Sequence, residues 1–434
     1  MKVIPTSKRR KARQINLFWA MFVMMQLWIM IIYYFQGNNN NNNNTNDDNN
    51  DTNVVNRNGH LLDSCQDYGE ALTLTIQAPV RIKPRPALWH RPKLTPTYHN
   101  VDKTTVLQLQ RPYSPWNHTF PCFPAEDQWN TVHQLREPTH RGWLYFKARK
   151  AGSSTVAGVA LRIARNMAQR LQVETPHCHT RYGHPPAHLL NYYQRDKNNS
   201  FLWSIIREPT SRHVSEFYHF AVSRSKWEPT DNHFHFYFRD TTEIHNYYLQ
   251  FMSTRKKFDN NHDNITTAVA TIMDEYNFIG ITERMHESLV CLQILLHLRT
   301  TDILYLSAKK NGGFDDGLAG GQCYYIMPTY ISPTIQDYLQ HSQQWQEYTK
   351  GDNLLYIVAN RSLDLTIDAL GREKFNQQLQ LYQATLKVAQ QRCANVTFPC
   401  SPGGILNSKH DCYLWDSGCG YSCLDKVAQA LGVD

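Results

Sequence analysis

The chain has 434 residues, 41% of them hydrophobic and 19% charged, which excludes a wholly disordered protein and suffices for one large or two ordinary domains. Its formal charge of +8 is concentrated at one end, where Lys2, Lys8, Arg9, Arg10, Lys11 and Arg13 contribute six positive charges with no acid among them. The rest is nearly neutral and lacks the field that a phosphate backbone requires, so nucleic acid is excluded as a partner.

The basic tail, 1–16, runs into Leu17–Phe35, a stretch without a charge. At about 1.5 Å per residue in a helix it spans a bilayer core. Tyr33 to Gln36 offers no small-x-small cleavage site, so a retained anchor is expected rather than a removed signal peptide. The flanking charge places 1–16 in the cytosol and everything after Gln36 on the other side, a single-pass type II arrangement. Glycosylation acceptors at Asn43, Asn50, Asn117, Asn198, Asn264, Asn360 and Asn395 agree with that orientation. So do ten cysteines, five of them between Cys393 and Cys423. Their spacing lacks the paired C-x-x-C of a zinc site and reads as disulfides of open pairing.

Residues 36–58 are mostly Asn and Asp, with little to bury against the entropy of ordering, and read as a flexible stem. Residues 59–141 are rich in proline and are expected to form an irregular lumenal segment that wraps the core. The chain shows no internal repeat.

Trp143–Phe146 suits a buried strand, and a helix is predicted to begin at Ser153 or Ser154. Val156, Val159, Ala160, Ile163, Met167 and Leu171 recur at helical spacing as its packed face, leaving Arg162, Arg165 and Gln169 wet. The loop between offers Gly152 for close backbone approach, free amides at a helix N-terminus, three hydroxyls and Lys150, a favourable cradle for an anion. It is not a Walker A loop, and a plain helix cap beside a solvated lysine has the same sequence signature.

A second strand-to-helix transition follows at Phe201–Ile206, then Arg207, Glu208 and Pro209, the proline fitting a first helical turn. Val214, Phe217, Tyr218 and Ala221 mark the helix's apolar face. Arg207 at the strand end and Ser215 two turns along can converge on one phosphate. Taken singly, the motif reads equally well as Arg207 paired with a carboxylate and Ser215 facing solvent.

Two such strand ends suit a nucleotide with phosphate at both ends, and here the chain resembles a known family. Lys150-Ala-Gly-Ser-Ser-Thr155 is similar to the 5′-phosphosulfate loop, and the stretch Ile206–Ser215 to the 3′-phosphate motif, of Golgi membrane carbohydrate sulfotransferases. Those enzymes use 3′-phosphoadenosine 5′-phosphosulfate, PAPS. Tyr276–Leu289 resembles a third family segment, a strand entering a helix, and Asn353–Leu370 more weakly resembles the C-terminal portion. Ala151 and Ser153 depart from the family's commoner K-T-G-T-T pattern. The resemblance implies that Lys150 stabilises the departing phosphate, that Ala151, Gly152, Ser153, Ser154 and Thr155 join it in holding the 5′ end, and that Arg207 and Ser215 hold the 3′-phosphate.

An acceptor hydroxyl also needs a base, and the crossover between the motifs holds His177, His179, His184 and His188. Tyr182-Gly183-His184 resembles the Gly-His element that carries the base in the uronyl 2-O-sulfotransferase branch, so His184 is expected in that role, with Glu208 and His188 behind it. A zinc cluster through Cys178 is disfavoured, because adjacent side chains suit one tetrahedral site poorly; no metal is expected. Gly312, Gly313 and Gly317 to Gly321 suggest a mobile loop, Lys309 and Lys310 meet an acidic glycan or solvent, and Phe234–Phe238 reads as packing.

The resulting expectation is an α/β catalytic domain over 142–392, a P-loop-like sulfotransferase fold with a central parallel sheet flanked by helices. An N-terminal transmembrane helix precedes it and a Cys-rich segment, 393–434, follows. The expected partners are a glycan or polysaccharide acceptor and the Golgi bilayer, and a homodimer is left open. The alternatives are a type II Golgi glycosyltransferase, disfavoured because no D-x-D occurs in the chain, and a non-catalytic glycan-binding protein, disfavoured because Lys150 and Arg207 are both present.

Overall fold

Three parallel strands form the centre of the fold: β1 (Gly142–Phe146), β2 (Ser200–Ile206) and β3 (Phe278–Ile281), in that spatial order. In the computed structural model the residues described are 91–92, 101–122, 141–172, 185–190, 192–240, 245–310, 312–315, 322–415 and 417–432. All belong to the unit Ile76–Asp434. The expected anchor, the stem and His184 lie outside them. Among the described residues no helix is long and apolar enough to cross a membrane.

Every residue of the three strands is buried. That is the condition of a parallel sheet covered on both faces, and it explains why the strands read as continuous apolar runs. The register pairs Phe146 with Ser204 and Ile206 with Ile281, so the strands end along one edge.

Eleven α-helices lie among the described residues. The first, α1 (Lys103–Leu109), starts at Asp102, whose carboxylate accepts from the amides of Thr104 and Thr105. It stands in the proline-rich segment, where the sequence led us to expect no regular element. The stretch after it sends Tyr113, Trp116 and Phe120 into the main core. α2 (Ser153–Arg170) follows β1 at the expected place. Arg162 corrects the expected wet face: it is 1% exposed, donating to Thr301 O at 3.0 Å and pairing with Asp425 at 2.7 Å. Leu171, assigned to the packed face, lies past the helix end and is 45% exposed.

After β2 comes α3 (Pro209–Phe217), with proline in its first turn, continued by a π-helical turn over Tyr218–Arg224. Next are α4 (Asp231–Asp240), α5 (Tyr247–Met252) and α6 (Ile265–Glu275). β3 then leads through a short 3-10 turn into α7 (Met285–Leu295), the strand entering a helix that was expected there. α8 (Pro333–His341), α9 (Gln343–Ala369) and α10 (Arg372–Arg392) complete the helical layer, and α9 packs on β3. A second, smaller core joins α3, the π turn, α4, α8 and Trp345 of α9; of the run expected to pack, Phe234 and Phe238 are fully buried in it, whereas Phe236 on the other side of the helix is 46% exposed.

Two short antiparallel pairs complete the fold, β4 (Phe314–Asp315) with β5 (Tyr324–Tyr325) and β6 (Cys412–Leu414) with β7 (Ser417–Cys419), followed by α11 (Tyr421–Leu431). Disulfides join Cys323 to Cys400, Cys393 to Cys423 and Cys412 to Cys419. The first ties the tail to the β4–β5 pair, and the second pins α11 to the end of α10.

Candidate functional site

The C-terminal ends of parallel strands collect loops and helix N-termini, which is where open α/β sheets bind ligands. Three loops meet there. Thr282, after β3, donates its hydroxyl to Ala151 O at 3.0 Å. Arg207, after β2, sends Nη1 to Lys150 O at 3.4 Å and places Nε 3.8 Å from Glu283. The Glu208 amide donates to Glu283 at 3.1 Å.

The loop after β1 takes two left-handed residues, Lys150 at φ 61° and Gly152 at φ 69°. Glycine adopts that conformation freely, whereas lysine does so under strain. Gly152 is the N-cap of α2 and no side chain caps the helix. Its first amides therefore remain available to an anion placed at the head of the helix. A Cβ at residue 152 would stand 3.2 Å from Met285 Cε and 3.7 Å from Thr282 Cγ2, so the missing side chain lets the turn after β3 and the start of α7 pack close against this loop.

Within this loop the Ala151 side chain is fully buried and Ser153 is buried, while Ser154 and Thr155 are half-buried. The Thr155 hydroxyl accepts from the Ala308 amide at 3.1 Å, which brings the 304–310 segment to the head of α2. Lys309 stands in that segment. Lys150 feels it: burial first, then the positive charges of Lys309 and Arg207, lower the Lys150 ammonium to about 7, against the pull of Asp315 and Glu216. Lys150 and Arg207, with Lys309 close enough to lower the Lys150 ammonium, thus bring positive charge to the head of α2, with Glu283 set against Arg207.

The loop after β2 divides its labour. Arg207 faces the Lys150 loop, whereas Glu208 caps α3, its two carboxylate oxygens accepting from the Thr210 amide at 2.9 Å and the Ser211 amide at 2.7 Å. Ser215 is half-buried in the second turn of α3. Beside it, Glu216 pairs with the fully buried Arg212 at 3.0 Å; burial alone would raise its carboxyl, but Arg212 and His213 hold it down at about 2.

The remaining expected residues divide by position. His177, His179 and His184 lie outside the described residues. His188 sits on a 3-10 turn, Ala187–Leu190, with its imidazole lowered by burial and by Lys257. Both oxygens of Glu208 are engaged at the helix cap, which leaves it poorly placed to accept an acceptor's proton. Among the described residues no group of three His, Cys, Asp or Glu side chains could hold a metal ion.

Sequence reasoning gave no role to Glu283, which faces Arg207 and accepts from the Tyr356 hydroxyl at 3.2 Å, its carboxyl raised by burial. Nor did it single out Tyr247 and Tyr248, which bond to the loops after β1 and β2. Their local signal was weak, since a Glu after a strand and a Tyr pair in an apolar helix occur throughout proteins. No family model, curated protein or solved structure matches this chain.

Proposed function

We propose that the protein is a carbohydrate O-sulfotransferase that moves a sulfuryl group from PAPS to a hydroxyl of a glycan or glycoconjugate. One observation carries the reading: loops leaving two neighbouring parallel strands, one with Lys150 and uncapped helix amides and the other with Arg207, touch at the strand ends. Such a pair suits a nucleotide that is anionic at both ends. On this reading the sheet, the Lys150 loop and α2 are the core of a P-loop-like sulfotransferase fold.

The residues present fit the donor. The uncapped amides of α2 and the hydroxyls of Ser153, Ser154 and Thr155 would receive the 5′ phosphosulfate end, with the backbone of Ala151 and Gly152 close against it. Arg207 and Ser215 would hold the 3′-phosphate. PAPS supplies the sulfuryl group. Lys150 would neutralise the charge that grows on the phosphate oxygen as its bond to sulfur breaks and the acceptor oxygen bonds to sulfur in line. His184 would take the acceptor's proton. The disulfides among the described residues suit an oxidising compartment, and with the expected anchor at 17–35 the reading places the catalytic part in the Golgi lumen.

Titration of the full chain with adenosine 3′,5′-bisphosphate tests the donor site. Wild type should bind, and Lys150→Ala and Arg207→Ala should each weaken binding. A wild-type protein that binds none would sink the reading.

A further inference from the structure

The two anion loops leave different strands, so the span between them must be fixed by something that touches both. Two adjacent side chains of α5 do so. The phenol oxygen of Tyr247 accepts from the amide of Arg149, the residue before Lys150, at 2.9 Å. The phenol of Tyr248 accepts from the Arg207 amide at 2.8 Å and donates to the Arg207 carbonyl at 2.8 Å. Neighbouring side chains on a helix diverge by about 100°, which lets one short helix reach two loops. We propose that Tyr247 and Tyr248 are positioning residues that set the spacing between the Lys150 loop and the Arg207 loop, so that a ligand anionic at both ends is gripped over a fixed span. The proposal rests on the donor site described above.

A six-residue helix has no stability of its own, so its position must come from its seat. That seat is α9. The Gly351 amide donates to Asn246 Oδ1 at 2.7 Å, and Asp352 Oδ1 accepts from the Tyr248 amide at 2.8 Å and the Leu249 amide at 3.3 Å, capping α5. Residue 351 must be glycine for this approach: a Cβ there would stand 2.3 Å from Leu249 Cδ1 and 2.9 Å from Asn246 Oδ1. On the other side the fully buried Arg212 guanidinium lies 3.7 Å from the Tyr247 ring centroid. The Tyr247 ring stacks on Phe251 at 4.5 Å, and the Arg149 guanidinium covers Phe251 at 5.4 Å. Arg212 belongs to α3 and Arg149 to the first loop, so the stack joins the two loops a second time. Ordinary core tyrosines need one hydrogen-bond partner; these two spend theirs on the backbone of the anion loops.

The test compares a ligand anionic at both ends, adenosine 3′,5′-bisphosphate, with one anionic at a single end, adenosine 5′-monophosphate. Tyr247→Phe and Tyr248→Phe keep the ring and remove the oxygen. Each should lower the affinity ratio of the two nucleotides by about tenfold, the cost of one buried hydrogen bond that matters only when both loops are engaged. Tyr382→Phe is the control: its hydroxyl donates to Ile303 O at 3.1 Å and to neither loop, so its loss should lower stability and leave the ratio unchanged. An unchanged ratio in both Tyr247→Phe and Tyr248→Phe, or an equal fall in Tyr382→Phe, overturns the proposal. Wild type that binds neither nucleotide overturns the donor reading and this proposal with it. If a Phe variant does not fold, amide exchange in wild type decides: the Arg149 and Arg207 amides should slow together on adding the bisphosphate, and slowing of only one contradicts the coupling.

Discussion

The Arg207 guanidinium reaches the Lys150 carbonyl oxygen at 3.4 Å across 57 residues of sequence. One side chain thus bridges the loops after β1 and β2, and on the proposed reading it offers charge to the donor nucleotide while holding the backbone of Lys150. Its fork of five donors makes this double use feasible, and a lysine has no such fork. Arg207→Lys should therefore weaken adenosine 3′,5′-bisphosphate binding by roughly tenfold or more, although the formal charge is kept. Calorimetric titration measures it, and an affinity equal to wild type would refute the double role.

The Lys150 ammonium is lowered to about 7 by burial and by its two cationic neighbours, so near pH 8 the free site holds it largely neutral. A bound anion favours the ammonium form, and the complex therefore holds more protons than the free protein. Binding should take up a proton, and affinity should fall as pH rises above about 7, by at most about tenfold per pH unit for one proton. Titrations in buffers of different ionisation enthalpy read that proton directly. Lys150→Ala should abolish the uptake; a flat affinity between about pH 7 and 9 in wild type would contradict the assignment.

Glu208 caps α3 with both oxygens. Glu208→Ala should cost about 1 kcal/mol of stability in denaturant titration, the usual loss of an N-cap, and Glu208→Gln should cost less because one accepting oxygen remains. Neither should abolish sulfuryl transfer. A loss of about a thousandfold or more in kcat for Glu208→Gln would instead mark it as the base.

Gly152 sits at φ 69°. Gly152→Ala should destabilise the fold by about 1 kcal/mol and also weaken nucleotide binding, since the left-handed turn is strained by a Cβ and the new methyl presses on Met285, shifting the loop at the head of α2. Thermal unfolding with and without bisphosphate separates the two effects, and a variant unchanged in both would show that the left-handed turn is dispensable.

What the sequence revealed of this site is the part that local chemistry determines. The apolar run Trp143–Phe146, the glycine at 152 and the proline at 209 each punctuate the chain within a few residues, so two strand-loop-helix units were legible at nearly their observed bounds. Arg162 was misread because helical period reports which face is apolar, whereas its burial depends on Asp425, which comes from the far end of the chain. α1 and the buried Tyr113, Trp116 and Phe120 were hidden by a proline-rich context that breaks periodicity without preventing burial. Glu283, Tyr247, Tyr248 and Asp352 were hidden for a different reason: each acquires its role from a hydrogen-bond partner on another element, and no spacing rule within one segment encodes that.

The most direct measurement of the central claim is transfer of radiolabelled sulfate from PAPS by the full chain to a panel of natural and desulfated glycans, with Lys150→Ala beside it. The account predicts that at least one glycan is labelled by wild type and that the substitution lowers the rate by about a hundredfold or more, the usual loss when a group stabilising transition-state charge is removed. Labelling that persists undiminished in Lys150→Ala, or wild type that labels no glycan, would contradict it.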